Sequence, residues 1–215
     1  MIMTDKLLNL IKEKYPLTEI DCGDFAKMKV NGMRFSISAY KAEGLGHVSV
    51  MTAIGFFGLM KMDTLIINPT ELDLPLYSYD RIFAMGNDTL IVELYDTLSG
   101  EYSEAELEAA KAKYSTLPER DPGEHWYDSI KLPCSISKKG KKAHTESLDA
   151  MTVDHFDAYL KSGVNSGDPA VKQDKARVYV NGLIEKGGPS TDVFKKSIGE
   201  AKTRELFENI LFGTK

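Results

Sequence analysis

The stretch ELDLPLYSYDRIFAMGNDTLIVELYDT, residues 71–97, decides the fold. Two runs rich in aromatic and β-branched residues flank Gly86-Asn87-Asp88, so the segment reads as strand, turn, strand. One residue does not belong to that pattern. Asp80 follows a proline and two tyrosines, at the head of a run that otherwise reads as buried strand. Taken alone, such an acid is an edge-strand residue capping a turn after Pro75.

Upstream, FAKMKVNGMRFSISAY places Asn31-Gly32 between alternating segments, which is a hairpin signal. GHVSVMTAIGFFGLMKMDTLIINP supplies two further strands or one long bent one. With residues 71–97 this makes about six strands and no helix long enough to cross between them, so a mainly antiparallel sheet is expected. The N-terminal TDKLLNLIKEKY has helical spacing at Leu7, Leu8, Ile11 and Tyr15, with Thr4 as its N-cap. Downstream the period changes. SEAELEAAKAKYS reads as helix, WYDSIKLPCSI as a further strand, and TVDHFDAYLKSG, DPAVKQDKARVYVNGLIEKG and DVFKKSIGEAKTRELFENILF as three helices, the last capped by Asp192. Strands followed by helices define an α+β fold with helices covering the sheet.

A chain of 215 residues with 42% hydrophobic content can build one large core. Its longest polar stretch, about residues 98–128, reads as helix and loop rather than linker, so residues 1–215 are taken as a single domain. The absence of an 18-residue apolar run and the mixed character of the N-terminus lead us to expect a soluble, cytoplasmic monomer without membrane contact. Cys22 and Cys134 make no disulfide framework, and His47, His125, His144 and His155 show no ligand spacing, so no bound metal is expected. The net charge of −5 is uneven. Residues 1–130 carry 12 Lys and Arg against 21 Asp and Glu, a balance of −9, and residues 131–215 carry 15 against 11, a balance of +4. The basic half suits an acidic partner, or is an ordinary solvated surface. The cluster KKGKK at 138–142 lacks interleaved aromatics and does not argue for nucleic acid, and the GLG and GG pairs lack the strand-to-helix context of a nucleotide site.

ELDLPLYSYDRIFAMGNDT resembles the core motif of the ferredoxin-dependent bilin reductases, in which an acid-Asp-Leu-Pro segment leads to a strand that starts with a catalytic aspartate. HWYDSIKLPCSI is similar to that family's Trp-containing approach to a strand, DKARVYV to its Asp-Lys, Arg helix, and GEAKTRELFENILF to its closing helix. The matches run in order over most of residues 63–213. The resemblance implies a three-layer α/β/α sandwich, with an open-chain tetrapyrrole held between the sheet and the C-terminal helices.

The same resemblance assigns site residues. Asp80 takes the place of the catalytic aspartate. Adding single electrons to a conjugated ligand in a dry pocket calls for protons at each stage, and a buried carboxyl with a raised pKa can supply them. Asp63 stands where family members that make phycocyanobilin carry a histidine; it either shares a proton with Asp80 or merely ends a strand. Asp157 matches a second proton donor on a C-terminal helix. For the propionates, Lys138 matches a family arginine, Lys175 a family lysine and Thr89 a family serine. About fourteen residues, roughly LIEKGGPSTDVFKK, are additional to the family pattern. The function implied is reduction of a biliverdin-like bilin, with electrons from reduced ferredoxin or flavodoxin and no intrinsic cofactor. A non-catalytic tetrapyrrole-binding protein of the same fold is the alternative, and a relative of the chlorophyll-catabolite reductases a more distant one.

Overall fold

The computed structural model describes residues 2–163 and 167–215. Eight strands form one sheet: β1 (Leu17–Ile20), β2 (Lys27–Val30), β3 (Met33–Ala42), β4 (Gly46–Gly55), β5 (Met60–Asn68), β6 (Leu76–Ala84), β7 (Asn87–Tyr95) and β8 (Ile136–Lys141). Their order is β1-β3-β4-β5-β6-β7-β8, with β2 also on β3. Every recorded pairing is antiparallel. Helices α1 (Met3–Lys12), α2 (Ala105–Ala112) and α3 (Thr145–Ser162) cover one face. The other is covered by α4 (Pro169–Lys186), α5 (Pro189–Ile198) and α6 (Glu200–Glu205), which runs into a π-helical stretch at Leu206–Leu211. The expected three-layer sandwich around an antiparallel sheet is therefore what forms.

Because side chains alternate along a strand, each long strand feeds two cores. On β6, Tyr77 and Tyr79 join the α1–α3 core while Leu76 joins the α4–α6 core. Tyr77 packs on Phe156 and Tyr159 of α3 with centroids 5.3 and 4.6 Å apart, and the Tyr159 hydroxyl donates to the Pro75 carbonyl at 3.0 Å. The LDLP segment is tied from the opposite layer as well. Lys172 of α4 is fully buried, and its ammonium donates to the carbonyls of Leu74 at 2.7 Å and Thr97 at 3.2 Å. Helix α4 itself starts as its sequence dictates, with Pro169 in the first turn and the Asp168 carboxylate accepting from the Ala170 and Val171 amides.

Several local expectations shift. Thr4 lies inside α1, buried, and Ile2 is the N-cap. Asn31-Gly32 does form the β2–β3 turn with both φ positive, but the β6–β7 turn is Met85-Gly86 (φ +51° and +74°), one residue earlier than Gly86-Asn87-Asp88. The GHVSV segment resolves into two strands. In WYDSIKLPCSI most residues form turns with a single bridge, Tyr95 to Lys131, and the strand starts only at Ile136. The closing segment is two helices, because Gly199 at φ +82° interrupts it, and α5 starts at Pro189 rather than after Asp192. Among the described residues no helix is long and apolar enough to cross a membrane.

Beneath the α1–α3 layer lies a buried ion pair. Arg81 contacts Asp88 through two nitrogens, Nη2 to Oδ2 at 2.8 Å; Thr145 Oγ1 donates to the same carboxylate at 2.7 Å, and Asp149 sits 3.3 Å from Arg81. Arg81→Met should lower the urea unfolding free energy by about 3–5 kcal/mol, since it strands Asp88 without its cation, and Arg81→Met with Asp88→Leu should recover most of the loss.

Candidate functional site

Between the sheet and the α4–α6 layer is a cleft with about 1040 Å³ of empty space, its open mouth included. The enclosed part of that space is about 230 Å³, and the rest opens to solvent. Its floor is the upward face of the central strands: Thr64 and Ile66 on β5, Ser78, Asp80 and Ile82 on β6, Ile91, Glu93 and Tyr95 on β7. One wall is the loop carrying Arg120, His125 and Tyr127. The roof is Tyr179 and Leu183 of α4, residues 188–191, Phe194, and Phe207, Leu211 and Phe212 of the closing segment.

Register fixes the floor. Thr64 lies opposite Asp80 across β5–β6, and its hydroxyl donates to Asp80 Oδ1 at 2.5 Å. Ser78 lies opposite Glu93 across β6–β7, two pairs along from Asp80 and Ile91 and on the same face. Asp80 is enclosed by protein, and what surface it keeps faces the cavity. Its pKa rises from 3.8 to about 6, mainly because burial penalises the carboxylate; the Thr64 bond opposes the rise and the Glu93 charge adds to it. Glu93 is held by the Tyr95 hydroxyl, which donates at 2.6 Å, and has Lys131 at 3.8 Å. Burial drives the phenols of Tyr95 and Tyr179 well above their ordinary range, so they remain neutral donors.

The loop wall is pinned by Trp126. Its indole donates to the Gly187 carbonyl at 2.9 Å and lies over Gly182, where a Cβ would meet Trp126 Cη2 at 2.2 Å. This close approach sets Tyr127 and His125 beside the cavity. His125 stacks on Tyr127 at 4.9 Å, with Asp128 Oδ1 at 3.9 Å from its Nδ1. Arg120 donates through Nη1 to Ser137 Oγ at 3.2 Å and is the guanidinium of the cleft.

Of the six residues assigned from the sequence, Asp80 alone lines the cavity. Asp63 is one residue off in parity: it pairs with Arg81 and faces the α1 layer, where burial raises its pKa, Asp5 adds to the rise and Arg81 opposes it. It therefore does not share a proton with Asp80. Asp157 lies on α3, in the opposite helical layer, paired with Lys161 at 2.5 Å on the surface. Lys138 lies opposite Leu90, whose side chain belongs to the α1–α3 core; its ammonium is buried against the Leu117 carbonyl and Glu119. Lys175 is engaged by Asp96 at 3.1 Å and the Leu98 carbonyl at 2.6 Å, outside the cleft. Thr89 is on the cavity side of β7, beyond the residues that line the cavity.

Glu93, Arg120, His125, Tyr127 and Tyr179 were not singled out. Glu93 was legible in principle. A turn at Met85-Gly86 pairs Asp80 with Ile91 and puts Glu93 on the same face, whereas a turn at 86–88 flips that face. Residues 183–196, expected from the sequence to be additional, form the end of α4 and most of α5, and several of them roof the cavity. Among the described residues no His, Cys, Asp or Glu cluster could hold a metal ion.

This architecture, an antiparallel sheet between two helical layers, is shared with a solved biliverdin complex. The chain superposes on selenomethionine-labelled phytochromobilin synthase from tomato in complex with biliverdin with a TM-score of 0.77 and 15% identity, over 98% of this chain and 83% of that one. The resemblance to the ferredoxin-dependent bilin reductases thus holds for the fold. No family model and no curated protein sequence matches the chain.

Two expectations concern Asp80. Its folded pKa lies above the unfolded value of 3.8, so the folded state binds the proton more tightly and stability declines as pH rises from about 4 to about 6. Asp80→Asn should therefore be more stable than the parent at pH 8, by on the order of 2 kcal/mol, and show no such advantage below about pH 4, as thermal unfolding at both pH values will show. Glu93→Gln should lower the Asp80 pKa, seen as a downward shift of its carboxyl band in a pH titration by infrared difference spectroscopy.

Proposed function

We propose that the protein reduces an open-chain tetrapyrrole of the biliverdin type, taking electrons singly from a small reduced carrier such as ferredoxin or flavodoxin, with Asp80 as proton donor. The observation that carries this reading is the position of Asp80: an enclosed carboxyl with a pKa of about 6, on the floor of an apolar cleft, in a fold shared with a biliverdin-binding structure. Saturating one double bond takes two electrons and two protons. Each electron leaves negative charge on the ligand in a medium that solvates it poorly, so proton transfer must accompany it. A carboxyl whose pKa is raised toward neutrality gives up and regains a proton readily there and meets that need, and the neutral phenols of Tyr95 and Tyr179 can orient polar edges of the ligand without contributing charge.

Arg120 is the group suited to a propionate, because a guanidinium can bind a carboxylate through two parallel bonds. It takes over the part that the sequence assigned to Lys138 and Lys175. The cleft's methionines and aromatics, among them Met51, Met62, Phe207 and Phe212, offer adaptable apolar surface to a large flat ligand. A bilin-binding protein without reductase activity is the second reading. It is favoured by one observation: Asp63 and Asp157, the other acids expected to act, both lie away from the cleft.

Purified protein mixed with biliverdin should give a red-shifted bound spectrum that changes on adding a reduced ferredoxin system. Asp80→Asn should bind with the same spectrum and stall, with turnover reduced at least about 100-fold, the range for loss of a general acid. A bound spectrum that never changes on reduction selects the binding protein, and full turnover by Asp80→Asn removes Asp80 from the chemistry.

A further inference from the structure

One end of the sheet carries a surface that the cleft does not use. The β4–β5 connection is Phe56-Phe57-Gly58-Leu59 and the β6–β7 turn is Met85-Gly86. Met60 pairs with Ala84, so the two tips are neighbours at the same end, and two strand spacings put them about 10 Å apart. Phe56, Phe57, Leu59 and Met85 are 61%, 109%, 76% and 92% exposed, so all four are mostly in solvent and Phe57 and Met85 project into it fully. Phe56, Phe57 and Met85 also have φ of +50°, +56° and +51°, a conformation that bulky side chains rarely adopt. Large apolar side chains held outward on strained backbone at two adjacent tips call for a contact.

The surroundings are cationic. Arg34 and Lys61 lie opposite Ile54 at the ends of β3 and β5, and Lys139, Lys141 and Lys142 close β8 beside Asn87. All five are exposed. Leu59, Gly86 and Lys142 share a shallow groove, which joins the two tips to the basic end of β8. The acids nearby are Asp88, buried on Arg81, Asp149, half-exposed beside the same arginine, Asp63, half-buried on the same strand face as Lys61, Glu119, paired with Lys138, and Glu146 at the groove edge.

We propose that this end of the sheet docks on an anionic lipid surface, with the four tip side chains in the headgroup–acyl boundary and the five cations at the level of the phosphates. Interfacial segments bury their apolar side about 5–10 Å deep, which matches the reach of side chains on a hairpin tip, and basic residues set behind them add attraction to anionic headgroups. A protein partner would have to offer separate pockets for side chains on two tips about 10 Å apart, whereas a lipid interface receives them without preformed shape. None of the four tip residues lines the cleft, so docking does not depend on the reading of the cleft.

The test is co-sedimentation of the full chain with vesicles of phosphatidylcholine alone and of phosphatidylcholine with phosphatidylglycerol. Binding should be at least tenfold stronger to the anionic vesicles and should weaken as salt shortens the Debye length below about 10 Å. Phe57→Ser with Met85→Ser should lose binding tenfold or more, as should Lys61→Glu with Lys142→Glu, while melting temperature and biliverdin binding stay at parental values. Absence of binding to anionic vesicles overturns the proposal, and so does equal binding by the Phe57→Ser/Met85→Ser variant. Capture of an acidic iron–sulfur protein by these tips, without vesicle binding, also overturns it and gives the surface to a protein partner.

Discussion

The β5–β6 register organises this molecule. Thr64 faces Asp80 across the pair on one side of the sheet, and Asp63 faces Arg81 on the other. Two adjacent residues of one strand therefore enter two different chemistries. Arg81 descends into the α1–α3 layer and is neutralised by Asp88, so its burial is compensated by direct pairing. Asp80 points into the cleft, where Thr64 donates to it and no cation is paired with it, so burial raises its affinity for the proton instead. The same alternation that builds two hydrophobic cores thus builds one ionic site and one acid site back to back.

The cleft's remaining chemistry comes from elements that converge on that face from distant parts of the chain. Glu93 is brought in by β7, and its charge adds to the rise in the Asp80 pKa that burial mainly causes. The 120–127 loop is held by Trp126, which packs where Gly182 leaves room and bonds the carbonyl at the end of α4. The roof is completed by α5 and by the π-helical closing stretch, whose Phe207 and Leu211 sit over the strands. Most of the enclosure is apolar and most of its polar groups are neutral, an environment that suits a large conjugated ligand and penalises unbalanced charge.

The two helical layers are locked to the segment that precedes Asp80. Tyr159 of α3 bonds the Pro75 carbonyl from one side, and Lys172 of α4 bonds the Leu74 carbonyl from the other. This answers the question raised by an acid after a proline and two tyrosines. Pro75 lies in a clamped connection, Tyr77 and Tyr79 fill the α1–α3 core, and the even-numbered positions between and after them face the cleft. Burial lowers the Lys172 pKa to about 8, opposed by Asp73, so the clamp too depends on desolvated charge.

While the candidacy of Asp80 came from the resemblance of residues 71–89 to a family motif, periodicity and turn residues were enough to define an antiparallel sheet covered by helices, because alternation, capping and glycine turns are local properties written in neighbouring residues. The start of α4 at Asp168-Pro169 and the Asn31-Gly32 hairpin are legible for that reason. The site's other members were not, because membership depends on the parity of a register or on the layer a helix joins. Shifting the β6–β7 turn by one residue hides Glu93, and one step of parity sends Asp63 and Lys138 to the wrong face. Asp157 falls on a helix packed against the far side of the sheet, and Arg120, His125 and Tyr179 meet Asp80 only through packing of segments far apart in sequence. The sequence by itself therefore determined the elements and one acid, while tertiary structure decided which groups surround that acid, since facing and proximity are set by long-range pairing that no local pattern encodes.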